Sequence, residues 1–145
     1  MKREHRLRPL VTIATQTERD RATRLVDAER RLGEAIRRLE DLLRFRHDYE
    51  KAFHMRATSG AEMRSLRESR LFIASLDDAV RSQEGQVSEL RDRLAAERQR
   101  WGEAATHKKV VSKVVERARA EDGAREARYA QRELDERASQ RSVPL

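Results

Sequence analysis

Residues 66–118 read LRESRLFIASLDDAVRSQEGQVSELRDRLAAERQRWGEAATHKKVVSKVVERA. Stepping alternately three and four residues from Leu66 visits Ile73, Leu76, Val80, Val87, Leu90, Leu94, Trp101, Ala104, Val111, Val115 and Ala118. Only Ser69, Gln83, Glu97 and Lys108 interrupt the walk with polar side chains. Over the chain as a whole just 37% of residues are hydrophobic, so this concentration is a seam and not chance. Apolar residues recurring every 3.5 positions over this many repeats define a coiled coil rather than an ordinary amphipathic helix. Such a stripe needs an equally long apolar partner to leave water.

The partner lies upstream. The same walk through the first segment gives Val11, Ala14, Glu18, Arg21, Leu25, Ala28, Leu32, Ala35, Leu39, Leu42, Arg46, Tyr49 and Phe53. The pattern is weak before Leu25 and firm after it. Pro9 is tolerated in a first helical turn but hardly in an interior, so the spacing predicts that helix one begins close to it. Between the seams stands Arg56-Ala-Thr-Ser-Gly-Ala-Glu62, the turn. Ser59 and Glu62 have the spacing of a capping box at the start of the second helix, and Gly60 eases the reversal.

Folding the chain back at this turn matches apolar to apolar when the numbers of facing residues add to about 118. Leu42 then meets Leu76, Leu39 meets Val80, Leu32 meets Val87 and Leu25 meets Leu94. The expected fold is all-α: a long antiparallel two-helix coiled-coil hairpin, with the second helix longer and projecting past the first. As a single domain over 1–145 it would comprise helix one at about 9–57, a turn at about 58–61, helix two at about 62–140 and a disordered tail at 142–145. In this register Leu7 faces Val111, and everything after about Val115 lacks a partner. An internal hairpin also makes the chain a monomer.

Composition agrees and excludes several classes. Charged residues make up 41% and aromatics 4%, with five Gly, two Pro and no Cys, which suits long helices with a thin core. Without Cys there is no disulfide or thiolate metal site. No apolar run approaches the roughly 20 residues that cross a bilayer, and no signal core follows the N-terminus, so the expectation is a cytoplasmic protein without direct membrane insertion. A net charge of +7 invites a nucleic-acid reading. Acidic residues are interleaved with the basic ones, however, and no aromatics accompany them to stack on bases. The four His residues (His5, His47, His54 and His107) form no ligand set of familiar spacing, and a helix pair encloses no pocket. No metal, no cofactor, no nucleic acid and no catalytic residue are expected: the chain reads as a non-enzyme.

Exposed apolar residues are therefore the informative positions. Arg38, Leu42, Phe45 and Tyr49 on helix one, with Phe72, Leu76, Ala79 and Gln83 on helix two, form two stripes at helical spacing that the register sets side by side. Core packing accounts for Leu42, Tyr49 and Leu76. A two-helix structure has no third element to cover Phe45 and Phe72, and an uncovered aromatic patch reads as a docking surface. Val110, Val111, Val114 and Val115 make a second cluster, which either packs onto Leu7, Leu10 and Val11 or meets another protein.

At this point the chain resembles the flagellar export protein FliJ family. The likeness rests on Arg6-Leu-Arg-Pro-Leu-Val11 with Glu18-Arg-Asp20, and on Leu39-Glu-Asp-Leu-Leu-Arg-Phe-Arg-His-Asp-Tyr49. It continues through Arg70-Leu-Phe-Ile-Ala-Ser-Leu76, Ala79-Val80, Gln83, Trp101, Val115-Glu116-Arg117, Ala120-Glu-Asp122 and Leu134-Asp-Glu-Arg-Ala138. The Val-rich run at 110–115 and the interior Gly102 and Gly123 depart from it. The resemblance implies a stalk of the flagellar type III protein export apparatus. Its partners would be the hexameric flagellar export ATPase, the export gate protein FlhA and export chaperones, at the inner face of the cell membrane at the flagellar base. It places the gate contact on Arg38, Leu42, Phe45, Tyr49, Phe72, Leu76, Ala79 and Gln83. The ATPase ring would take the end carrying Val110, Val111, Val114 and Val115. The alternatives are the equivalent stalk of a virulence type III secretion system and a basic coiled-coil scaffold that binds nucleic acid.

Overall fold

The structure, a computed structural model, describes residues 2–142. Two helices account for nearly all of them: α1, Arg3–Thr58, and α2, Met63–Arg141. They pack against each other as an all-α helical hairpin, and the residues that face inward are those of the two seams. On α2, Ser69, Leu76, Val80, Gln83, Val87, Leu94, Glu97 and Ala118 are buried. On α1 the buried positions are all alanines, Ala14, Ala28 and Ala35. Methyl groups of α1 at Ala28 and Ala35 thus share a core with the larger side chains of Leu76, Val80, Val87 and Leu94.

The reversal is tighter than a loop. Gly60 has φ of 86°, the left-handed conformation that a Cβ disfavours. Around it the Ala61 N–H reaches the Arg56 carbonyl at 3.2 Å, the six-to-one bond of a Schellman cap. The Ser59 and Thr58 hydroxyls also donate to carbonyls of the last turn, at Arg56 (3.1 Å) and Met55 (3.0 Å). The capping box expected from Ser59 and Glu62 does not form, because Ser59 spends its hydroxyl ending α1 rather than starting α2. Glu62 instead contributes its carbonyl to the Leu66 N–H at 3.0 Å.

Packing divides the chain into two compact units, Thr23–Gln99 and Met1–Ala22 with Arg100–Leu145. The first unit contains the turn. Its core comprises Ala28 and Ala35 against Leu76, Val80, Val87 and Leu94, with Val80 the most enclosed. The buried Gln83 amide donates to the Ala35 carbonyl at 3.0 Å, a pairing that fits the expected register. Longer arms reach further along: Arg46 pairs with Asp77 at 3.2 Å, and Arg56 donates to the buried Ser69 hydroxyl. Ser69 and Gln83 thus each have a hydrogen-bond partner, as burial requires, whereas the buried Glu97 keeps one carboxylate oxygen outside any hydrogen bond among the described residues.

The second unit corrects two expectations. Helix α1 starts at Arg3 and carries Pro9 in its interior, instead of beginning near Pro9. Proline removes one backbone bond and crowds the preceding turn, at a cost of about 3 kcal/mol. Contacts from α2 offset it. The buried Asp122 carboxylate accepts the Glu4 N–H at 3.1 Å, Arg3 pairs with Glu121 at 3.3 Å, and Lys2 pairs with Glu126. An acceptor on one helix thereby serves an orphaned first-turn N–H of the other, at its positive end.

The second correction follows from the first. Pairing does not lapse after Val115, since Ala118 is 1% exposed and Asp122 is buried. Exposure becomes continuous only over 123–142. Glu121 of α2 likewise reaches across to Arg3 of α1. Of the tail expected at 142–145, Ser142 forms a turn with its N–H on the Ala138 carbonyl (3.1 Å). The rest of that tail lies outside the described residues.

Candidate functional site: uncovered apolar patches on the helix pair

In the turn-bearing unit, Phe45 and Phe72 sit one position before seam residues of their respective helices, so both emerge on the same flank. Their rings meet edge to face at 83° with centroids 6.3 Å apart. Tyr49 completes a three-ring cluster, 4.7 Å from Phe72 and 6.3 Å from Phe45. Edge-to-face and tilted contacts of this kind are the favoured geometries for aromatic pairs. Yet Phe45 stays 50% exposed and Phe72 41%. The rings are held firmly by one another and remain open to solvent.

The other members of the stripe divide by role. Arg38 is exposed beside the cluster, and Leu42, Tyr49 and Ala79 are half-buried. Leu76 and Gln83 are buried in the seam, where Gln83 is committed to the Ala35 carbonyl. Both offer a partner little surface. Sequence reasoning passed over Leu71, Met55 and Met63, all strongly exposed near the turn. Their signal was present, as apolar residues off the seam on both sides of the predicted turn. Nearby, the Arg70 guanidinium lies 5.8 Å from the centre of the Phe53 ring. That cation–π contact shields a seam residue from water.

In the unit carrying the chain ends, the valine cluster splits. Val111 and Val115 are half-buried seam residues. Val110 and Val114 are 55% and 42% exposed, as are much of Leu10 and Ile13 on α1. Val111 and Val115 thus belong to the seam side of the cluster and Val110 and Val114 to its open side. Leu10 and Val114 each precede a seam residue, the positions that put Phe45 and Phe72 on a shared flank in the other unit.

Electrostatics in the described residues are those of solvated helix faces. Arg30 donates to Asp27 and Glu34, and the hydrogen bond from Arg30 holds the Asp27 carboxyl below the usual carboxylate range. The Arg8 hydrogen bond does the same for Glu4, and the Glu126 contact raises Lys2. No three His, Asp or Glu side chains gather as a metal would need among the described residues. No helix is long and apolar enough to cross a membrane.

These features define a class: a two-helix, coiled-coil hairpin whose surface, more than any interior, carries the recognisable sites. The family model described as flagellar FliJ protein matches residues 1–143, so the chain belongs to the FliJ family and is a flagellar export-associated protein. No curated protein and no solved structure matches it.

Proposed function

We propose that the chain is the non-enzymatic coupling stalk of the flagellar type III export apparatus. It would link the hexameric export ATPase to the export gate protein FlhA and to export chaperones, working peripherally at the inner face of the cell membrane. The observation that carries this reading is the Phe45–Tyr49–Phe72 cluster: three rings packed against each other, two of them, Phe45 and Phe72, left exposed, in a member of this family. Aromatic anchors already fixed in place bind at little cost in side-chain entropy, and anchors of this type dominate interface energies. The gate is assigned to this patch and the ATPase ring to the unit containing Val110 and Val114.

The two assignments are separable by mutation. The Phe45→Ala/Phe72→Ala variant should lose gate binding while still stimulating the ATPase, because both rings lie outside the buried seam. Val110→Asp/Val114→Asp should do the reverse. Binding to the purified cytoplasmic part of the gate and ATP hydrolysis by the hexamer are the two readouts. Unchanged gate affinity in the double-Phe variant would refute the assignment. Loss of both activities together with lost helicity would indicate unfolding, and circular dichroism distinguishes that case.

A further inference from the structure

Trp101 occupies a seam position and was expected in the core, yet it is 36% exposed. Its indole N–H donates to the Glu18 carboxylate at 3.1 Å, so the polar demand of the ring is met while much of it stays open. Along α2 from it runs a groove of about 480 Å³, floored by Trp101 and Ala105 and edged by Lys108, Lys109 and Lys113. Three ammonium groups thus lie within six residues. Arg3, Arg8, Arg30 and Arg46 all have carboxylate partners. None of these three lysines takes part in a salt bridge among the described residues.

The groove is distinct from the valine patch. Lys109 and Ser112 each follow a seam residue, whereas Val110 and Val114 each precede one, so the two lie on opposite flanks of α2. Its margins also limit what it can accept. Glu18 lines one part and Glu116 another, so a long polyanion would run onto like charge. A nucleic-acid backbone, with uniform charge and many phosphates, fits poorly. An anionic bilayer would need a row of several apolar side chains, and here the apolar lining is Trp101 and Ala105 alone.

We infer that this groove is a docking site for a short acidic peptide segment of a partner protein that carries one apolar side chain. The apolar group packs on the open Trp101 ring and Ala105, and the flanking carboxylates meet Lys108, Lys109 and Lys113. This site stands apart from the gate patch and does not depend on it.

Trp101 is the chain's sole tryptophan, so its fluorescence reports on this groove alone. The full chain is titrated with the capped peptide Glu-Asp-Leu-Glu-Glu. Parallel titrations use Lys-Lys-Leu-Lys-Lys, a thymidine oligonucleotide and phosphatidylglycerol vesicles. A saturable blue shift is expected with the acidic peptide, weakening as salt rises. The exposed-site variant Lys109→Ala/Lys113→Ala should bind it roughly tenfold more weakly at unchanged helicity, and Lys109→Arg/Lys113→Arg should retain binding. No saturable response to the acidic peptide overturns the inference. So does equal affinity in the Lys→Ala variant, or tighter binding of the basic peptide, the oligonucleotide or the vesicles.

Discussion

Replacing Asp122 with Ala removes the side-chain acceptor of the Glu4 backbone N–H in the first turn of α1. The carboxylate is buried and accepts the Glu4 N–H at 3.1 Å, so its loss leaves a backbone donor at a helix start without its partner. Loss of a capping acceptor costs about 1 kcal/mol, within a range of roughly 0.5–2. The neighbouring ion pairs, Arg3–Glu121 and Lys2–Glu126, are about half exposed and screened by solvent, so each adds only a small increment. Against them stands the penalty of about 3 kcal/mol for keeping Pro9 inside a helix. The balance at this end is therefore close, and without Asp122 α1 should retract until Pro9 stands in its first turn, where proline is favoured. The change is local. Hydrogen exchange read by mass spectrometry should quicken about five- to tenfold over residues 3–8, with residues 25–42 unaffected. Asp122→Asn keeps an acceptor oxygen and should show less than half the effect. Equal acceleration in both regions, no acceleration at 3–8, or an Asn variant as severe as Ala would refute the reasoning.

Gly60→Ala should lower stability by about 1 kcal/mol through backbone strain alone, since φ is 86° and no atom lies within 4 Å of the new Cβ; an unchanged urea midpoint would contradict this. Leu94→Ala deletes a buried seam residue and should cost about 2–4 kcal/mol in urea unfolding. A cost under about 0.5 kcal/mol would mean that the seam is not the source of stability. For pH, Glu4 and Asp27 are lowered, so their contribution is present above the ordinary carboxylate range and lost as pH falls through their folded values. Lys2 is raised, so its contribution is present below the ordinary lysine range and lost as pH rises through its folded value. Urea midpoints should thus be flat between roughly pH 5 and 9 and decline outside that window.

Much of the fold could be read from periodicity. The walk from Leu66 to Ala118 named the inward face of α2, because a 3.5-residue repeat is a direct statement about which side of a helix is dry. What it misjudged has identifiable causes. Pro9 was weighed as an isolated residue, whereas its place in α1 is decided by Asp122, far away in sequence. Ser59 has hydroxyl chemistry suited to either helix end, and the left-handed Gly60 beside it settled the choice for α1. At the candidate gate site, spacing set Phe45 and Phe72 off the seam, where both are exposed. It could not rank depth within the stripes, so Leu76 and Gln83 were counted with Phe45 and Phe72. The Lys108–Lys113 groove went unnoticed because interleaved charge normally marks a solvated face. A tryptophan about two turns ahead of two adjacent lysines is the available clue.

In the Thr23–Gln99 unit, alanine at the buried positions of α1, Ala28 and Ala35, against valine and leucine on α2 makes the two helices intolerant of opposite errors. Enlarging Ala28 or Ala35 by two methyls would wedge the pair apart, at about 1–3 kcal/mol, whereas shortening Val80 or Val87 would open a void. Mutational drift should therefore be filtered by size in contrary directions along one and the same groove line. Selection would guard smallness on the first strand of the hairpin and bulk on the second.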